Sequence, residues 1–346
     1  MRSSVNVIAP TRRPRNVRRG THLLTTALII ATLIAGCGGA ASKSQQSAPS
    51  QEPSQGSSQA PSKDAQLPQE PAPAPEYPLS FVDGLKRPVT LQARPSRIVS
   101  VIPAGTEILF ALGAGDRVVG VSTYCNYPEQ AKQKEKAGGY SNPSVEKVVS
   151  LKPDLVLGDF VHGEFATHLG KLGIPVMLLN SQSVAEALDS IKMLGRAIGS
   201  RDAAESLCAA MGSRVDEVQK KVGSVPASQR LKVFHELWHE PLMTSGPGTI
   251  MDDLIRLAGG INVAADAKTQ YPEYSLEMLV AKNPDVIVYT YHYDQRQLKR
   301  KGWDNLRAVK QGRVYVLTDD LVSRPGPRIV DGLEELARKL YPDAFK

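Results

Sequence analysis

Tyr140-Ser-Asn-Pro-Ser-Val-Glu146 runs on through Lys147-Val-Val-Ser-Leu-Lys-Pro153-Asp154-Leu-Val-Leu157. The stretch returns as Tyr271-Pro-Glu-Tyr-Ser-Leu-Glu277, running on through Met278-Leu-Val-Ala-Lys-Asn-Pro284-Asp285-Val-Ile-Val288. Tyr, Ser, Glu, Pro and Asp fall at matching offsets in both, and each Pro-Asp is followed by a short apolar run. A solenoid needs at least three stacked copies, so two copies point to two related lobes.

Each copy has the same physical reading. Ser144 or Ser275 caps a short helix, and the glutamate two residues on sits in its first turn, where the macrodipole favours negative charge. The Pro-Asp pair stops the helix, and the apolar run is a buried strand of a parallel sheet. The tyrosine then lies in the loop before the helix, at the mouth of its lobe. An aromatic ring and a carboxylate on each side suggest a cleft between the lobes. The plainer account of the glutamates is that they only stabilise their helices.

The N-terminus carries Arg2, Arg12, Arg13, Arg15, Arg18 and Arg19 and no acid, followed by an apolar segment from Leu23 to Ala35. A basic region, an apolar stretch too short to span a bilayer comfortably and small residues before a cleavage point make a secretory leader, residues 1–36. Ile34-Ala35-Gly36-Cys37 resembles the lipobox of bacterial lipoproteins, which implies lipidation at Cys37; the alternative is an uncleaved anchor. Either way the chain is expected outside the cytoplasm, attached to the membrane. The formal charge of +7 is then misleading, because six of those charges leave with the leader. A nucleic-acid partner loses its support. Residues 37–76 are rich in Ser, Gln, Pro and Ala, with hardly any large apolar side chain. They read as a flexible tether that cannot offset its own ordering entropy.

The roughly 270 residues that remain suit one two-lobed unit. Residues 77–200 read as an N-terminal α/β lobe. It opens with a hairpin over Leu79–Leu91, followed by strands at Arg97–Ile102, Val118–Val121, Leu155–Leu157 and Val176–Leu179. Helices run from Pro103 to Leu112 and from Glu164 to Leu172. Helical periodicity holds from Val184 to Val222, broken only at Gly199-Ser200, so residues 201–228 read as an interlobe helix. Residues 229–346 form a C-terminal α/β lobe. Its strands are Leu231–Trp238, Val286–Tyr289 and Val314–Leu317, with helices at Thr249–Ala258, Asp304–Lys310 and Arg328–Leu340. Alternating strands and helices make both lobes parallel-sheet, Rossmann-like α/β units.

Several stretches now carry a resemblance. Arg97-Ile-Val-Ser-Val-Ile-Pro-Ala-Gly-Thr-Glu107 through Gly113-Ala-Gly-Asp-Arg-Val-Val-Gly120 is similar to the opening of the cobalamin and ferric-siderophore binding proteins of ABC importers. Gly139-Tyr140 to Glu146, Ala258-Gly-Gly-Ile-Asn-Val263 and Ser323-Arg-Pro-Gly-Pro-Arg328 carry the same likeness, which spans roughly Arg97 to Pro342. It implies two α/β lobes on a backbone helix, a ligand in a shallow cleft and little hinge motion. The job it implies is delivery of cobalamin, or another corrinoid, to an ABC permease dimer and its ATPase subunits by a monomeric receptor. Ferric siderophores and haem are the alternatives within the class, and a metal-binding sensor or store lies outside it.

Cobalamin is a large, nearly flat macrocycle with apolar faces and a rim of amides, so its receptor needs aromatic surfaces and a few hydrogen-bonding groups. By position in the family motifs, Ala104, Tyr124, Tyr140 and Tyr271 resemble residues that face cobalamin. Tyrosine replaces the tryptophan of that pattern at both repeat positions, which leaves a more polar or iron-bearing ligand open. Trp238 and His239 are expected to end the first C-lobe strand, in the cleft. Arg324, in the loop before the last helix, is available to an anionic group; a surface arginine is the alternative. Tyr127 and Tyr315 read as ordinary packing. The resemblance gives Glu146 and Glu277 the role of meeting permease arginines, one on each side of the cleft.

His162, His239 and His292 stand at or just past strand ends, yet show no ligand spacing and no carboxylate partner. They read as exposed loop histidines rather than a metal site. His235 and His239 would lie about 13 Å apart on one strand. Cys125 and Cys208 are expected to be free thiols. Gly113-Ala-Gly115 follows a helix and lacks the third glycine of a dinucleotide fingerprint, and Ser245-Gly-Pro-Gly-Thr249 has no lysine and is not a P-loop. Gly-x-Ser-x-Gly is absent. No catalytic residues, resident metal or cofactor are expected, and the protein reads as a binding protein rather than an enzyme.

Overall fold

The structure is a computed structural model and describes residues 77–290 and 299–346. The leader, Cys37, the tether and His292 lie outside the described residues.

The N-lobe opens with the expected hairpin, β1 (Leu79–Val82) and β2 (Pro88–Leu91), antiparallel and turning at Asp83-Gly84. Its sheet comprises β3 (Ile98–Ser100), β4 (Val118–Val121), β5 (Glu135–Lys136), β6 (Leu155–Asp159) and β7 (Val176–Leu179). All pairings are parallel, in the order β5-β4-β3-β6-β7. Its helices are α1 (Pro103–Ala111), α2 (Glu129–Lys132), α3 (Val145–Ser150), α4 (Gly163–Lys171) and α5 (Val184–Ala197). The 23-residue helix α6 (Arg201–Gly223) leads into the C-lobe.

The C-lobe sheet comprises β8 (Lys232–Glu236), β11 (Ile261–Asn262), β12 (Val286–Tyr289) and β13 (Val314–Val316), parallel in the order β11-β8-β12-β13. Between them, β9 (Trp238–His239) and β10 (Leu242–Met243) form a separate antiparallel hairpin. The C-lobe helices are α7 (Ile250–Leu257), α8 (Leu276–Lys282), α9 (Arg307–Lys310), α10 (Asp319–Val322) and α11 (Ile329–Leu340). Two expectations need correcting. The strand beginning near Leu231 stops at Glu236, because Leu237 N–H turns to Met243 O (3.0 Å) and starts the hairpin. The Asp304–Lys310 helix is two pieces, a 3₁₀ turn at Trp303–Asn305 and α9, separated at Leu306.

The repeat is structural down to single bonds. Ser144 Oγ accepts Lys147 N–H (3.2 Å) to cap α3, and Ser275 Oγ accepts Met278 N–H (3.1 Å) to cap α8. Both helices end through a residue with positive φ, Lys152 (47°) and Asn283 (44°), which turns the chain into Pro-Asp. The aspartate then ties two strands together. Asp154 Oδ1 accepts Arg97 N–H (2.9 Å) beside β3, while Asp285 Oδ2 accepts Lys232 N–H (2.9 Å) at the start of β8. These donors precede or begin the central strand of each sheet and would otherwise lack a partner. The apolar runs β6, β7 and β12 are buried, as strands covered on both faces must be.

The two lobes share one hydrophobic core. It runs from Ile98, Leu155 and Leu178 through Cys208, Met211 and Val218 of α6 to Val233, Leu254 and Leu333. Polar ties add to it: Val184 N–H donates to Asp253 Oδ2 (2.8 Å), and Arg214 of α6 bonds Asp331 (2.6 Å) and Glu334 (2.8 Å) of α11. A second core under β12 holds Phe234, Tyr274, Tyr289 and Trp303. Continuous packing of this kind resists hinge motion. Gly84 shows how the opening hairpin docks: its N–H donates to Leu178 O (2.8 Å), and an added Cβ would stand 2.6 Å from Asn180 N. Cys125 and Cys208 are both buried free thiols.

Candidate functional site

The site lies beyond the carboxyl ends of the N-lobe strands, where parallel sheets leave room for ligands, and is closed from the other side by the C-lobe. Two adjoining hollows of about 120 and 390 Å³ share Ile102, Ala104, Tyr140, Asp159, Ser323 and Pro325. The smaller one also takes in Phe160 and Tyr271, and the larger one Tyr124 and Arg324. Ala104, Tyr124, Tyr140, Tyr271 and Arg324, singled out from sequence, are therefore brought together from both lobes. Ala104 is small where the lobes meet, with its Cβ 3.8 Å from where a Cβ on Gly326 would stand.

Tyr140 is held rather than free. Its hydroxyl donates to Asp159 Oδ2 (2.6 Å), and its ring meets His162 edge-on with centroids 5.4 Å apart. Burial, then the bond to the Asp159 carboxylate, push the Tyr140 phenol well above its ordinary range. His162 completes the circuit, with Nδ1 2.8 Å from Asp159 Oδ1 and Nε2 2.7 Å from Tyr140 O. The side chain of His162 is buried, not in an exposed loop as expected; its partners lie in the cleft wall. Tyr271 lines the smaller hollow together with Tyr140 and is 45% exposed. Tyr124 and Phe160, 61% and 55% exposed, put two more rings at the rim.

Arg324 is not a surface arginine. Its guanidinium donates to Glu107 Oε1 (3.1 Å) and Asn126 Oδ1 (2.6 Å) and pairs with Asp320. Trp238 and His239 do not line the two hollows. They stack on each other in the β9–β10 hairpin, with centroids 5.3 Å apart, and Trp238 Nε1 donates to Glu240 O (2.9 Å). That hairpin supports the cleft indirectly: Tyr274 N–H donates to Leu242 O (2.8 Å) and Thr244 N–H to Pro272 O (3.2 Å), so it holds the Tyr271 loop. His235, by contrast, is buried under the sheet end, bonded to Ser245 Oγ (2.9 Å) and Thr290 Oγ1 (3.2 Å). Tyr127 packs under the Arg328 guanidinium, 4.0 Å from its ring centre, and Tyr315 under Lys339.

Sequence reasoning did not single out Asp159, Phe160, Asp319 or Asp320. Asp159 and Phe160 stand directly after the β6 apolar run, and position at the carboxyl end of a repeat strand was the available signal. Glu146 and Glu277 are exposed in the first turns of α3 and α8. Each helix runs back to the start of the strand that follows it, so both glutamates stand at the carboxyl edge of their sheets, the edge that bears the cleft.

Two parallel α/β lobes packed on one core around an aromatic-lined cleft define the architecture of a solute-binding protein. The chain belongs to the periplasmic binding protein family, whose model matches residues 98–321. It is 39% identical over 277 residues, 78% of this chain and 88% of the other, to Bacillus subtilis YvrC, described as an uncharacterized ABC transporter substrate-binding lipoprotein. It is 30% identical over 258 residues, 72% of this chain and 92% of the other, to the vitamin B12-binding protein of Vibrio cholerae. Among solved structures, the periplasmic haem-binding protein RhuT of a Roseiflexus species superposes with a TM-score of 0.65 at 29% identity, covering 72% of this chain and 99% of that one. These similar proteins are described as solute-binding proteins, which supports a non-enzymatic role.

Proposed function

We propose that the protein is an extracytoplasmic receptor lipoprotein that captures cobalamin or another corrinoid in the interlobe cleft and hands it to an ABC permease. The observation that carries this reading is that Tyr140 and Tyr271, from opposite lobes, line one hollow together with Phe160, and that Tyr124 lines the adjoining one. A flat macrocycle with apolar faces fits ring-lined walls, and its amides fit the polar groups between them. The ligand is cargo, and no resident cofactor enters the account. The likeness to the Vibrio cholerae vitamin B12-binding protein supports a corrinoid, while the likeness to RhuT supports haem as the second reading.

Attachment through Cys37 rests on the lipobox-like Ile34-Ala35-Gly36-Cys37 and on the described lipoprotein character of YvrC. Cys37→Ser is expected to leave an unprocessed, non-acylated precursor; normal processing and normal membrane partition of that variant would remove attachment through Cys37 from the account. The binding reading is tested by intrinsic fluorescence titration of the purified protein with cyanocobalamin, haem and ferric siderophores. Saturable quenching by cyanocobalamin, weakened in Tyr140→Ala and Tyr271→Ala by roughly 1–3 kcal/mol each, is expected. Binding of haem or a siderophore with no response to cyanocobalamin would overturn the corrinoid assignment.

A further inference from the structure

Among the described residues lining the two hollows, Arg324 carries the one positive charge, set against Asp159, Asp319 and Asp320. Its guanidinium is already occupied by partners of its own. Nη1 donates to Glu107 Oε1 and to Asn126 Oδ1, and Nη2 pairs with Asp320. Asn126 Nδ2 closes the ring by donating to Asp320 Oδ2 (2.9 Å). Glu107 anchors the arrangement from the N-lobe. Its side chain is 1% exposed, and its other bonds come from Arg328, Nη2 to Oε1 (2.6 Å) and Nε to Oε2 (2.8 Å). Arg324 itself is 12% exposed.

We propose that Glu107 sets the charge selectivity of the cleft: by holding Arg324 across the lobe junction it leaves an acidic site that takes uncharged ligands and turns polyanions away. This inference rests on the reading of the cleft as the ligand site. An anionic group entering the larger hollow meets carboxylates whose repulsion is strengthened by partial burial. It can recruit Arg324 only by breaking charge-assisted hydrogen bonds to Glu107 and Asp320, which are about twice as strong as neutral ones. An amide rim carries no such penalty and offers N–H donors to Asp159, Asp319 and Asp320. Glu107 acts here as a positioning residue, since it works through Arg324.

Two probes with the same macrocycle separate charge from shape: dicyanocobinamide, whose side chains are amides, and dicyanocobyrinic acid, whose side chains are carboxylates. Fluorescence titration of the full chain is expected to show the amide form binding at least about tenfold tighter. In Glu107→Gln, which releases Arg324, that ratio is expected to shrink by about tenfold. Asn126→Ala, at an exposed position, provides a second variant that loosens Arg324 without altering any carboxylate. A wild-type ratio near one, or a ratio unmoved in a folded variant of each kind, would overturn the inference while leaving the ligand site intact. If the wild type binds neither probe, the corrinoid reading fails and this inference with it.

Discussion

Arg328 grips Glu107 with two nearly parallel hydrogen bonds, 2.8 Å from Nε to Oε2 and 2.6 Å from Nη2 to Oε1, joining residues 221 positions apart. The pair crosses the lobe junction, with α1 on one side and the N-cap of α11 on the other. Bidentate geometry of this kind is specific as well as strong, and hydrogen bonding to Glu107 raises the Arg328 guanidinium further above its ordinary range. Together with the shared core it ties the two lobes to each other beside the cleft.

Arg328→Ala should therefore destabilise the whole protein, not one lobe. It leaves the buried Glu107 carboxylate with Arg324 as its remaining cationic partner, at a cost of about 1–3 kcal/mol. Chemical denaturation is expected to show one cooperative transition at lower denaturant. A separate early transition of the C-lobe would contradict the idea of a single interlocked unit.

The aspartates of the repeat give a paired prediction. Asp154→Ala and Asp285→Ala each leave backbone donors of a neighbouring strand without a partner, at about 1–3 kcal/mol when buried. Asp285 is 8% exposed, whereas Asp154 lies among exposed bonds to Ser96 and Arg97. Loss of stability should be greater for Asp285→Ala. Equal effects would mean that burial does not govern the cost.

Much of this was legible in the sequence because the repeat is local. Cap, glutamate and Pro-Asp lie within fifteen residues, and their bonds are made by neighbours or by the adjoining strand. The strand Val176–Leu179 was likewise readable from an uninterrupted apolar run. What escaped depends on distance or on brevity. Arg324 finds Glu107 from 217 residues away, so sequence reasoning offers only an anion contact or a surface arginine. The β9–β10 hairpin has two residues per strand, too few to show a period, and reads as the end of β8. His162 looked exposed because its polar partners, Asp159 and the Tyr140 carbonyl, become neighbours only when the cleft wall folds.

His235 supplies a pH dependence. Burial pushes its imidazole down to about 4, so it is neutral in the folded protein. Once unfolded it takes up a proton below about pH 6.5. The unfolded state thus binds more protons between about pH 4 and 6.5, and stability falls as pH falls through that window. The contribution is up to about 3 kcal/mol. Melting temperature measured across that range should drop on acidification, and His235→Gln should flatten the slope. A slope identical in the variant would assign the acid sensitivity to other groups.

Glu146 and Glu277 stand exposed at the cleft edges of their sheets, and hydrogen bonds at the α8 N-terminus hold the Glu277 carboxyl below its usual range. Two charges on opposite lobes can orient a docking partner bearing arginines. Replacing both with lysine should leave ligand affinity and melting temperature near wild type while ligand uptake by cells collapses. Intact growth on limiting ligand would show that these carboxylates do not dock the permease.

The proposed corrinoid site lies between Tyr140 and Tyr271. Anomalous diffraction at the cobalt edge, from crystals of the protein grown with cyanocobalamin, locates the metal without reference to any other part of the account. The expected result is one cobalt peak in the cleft, between the two rings and beside Ala104. A cobalt peak elsewhere on the molecule, or none from crystals grown at saturating cyanocobalamin, would contradict it.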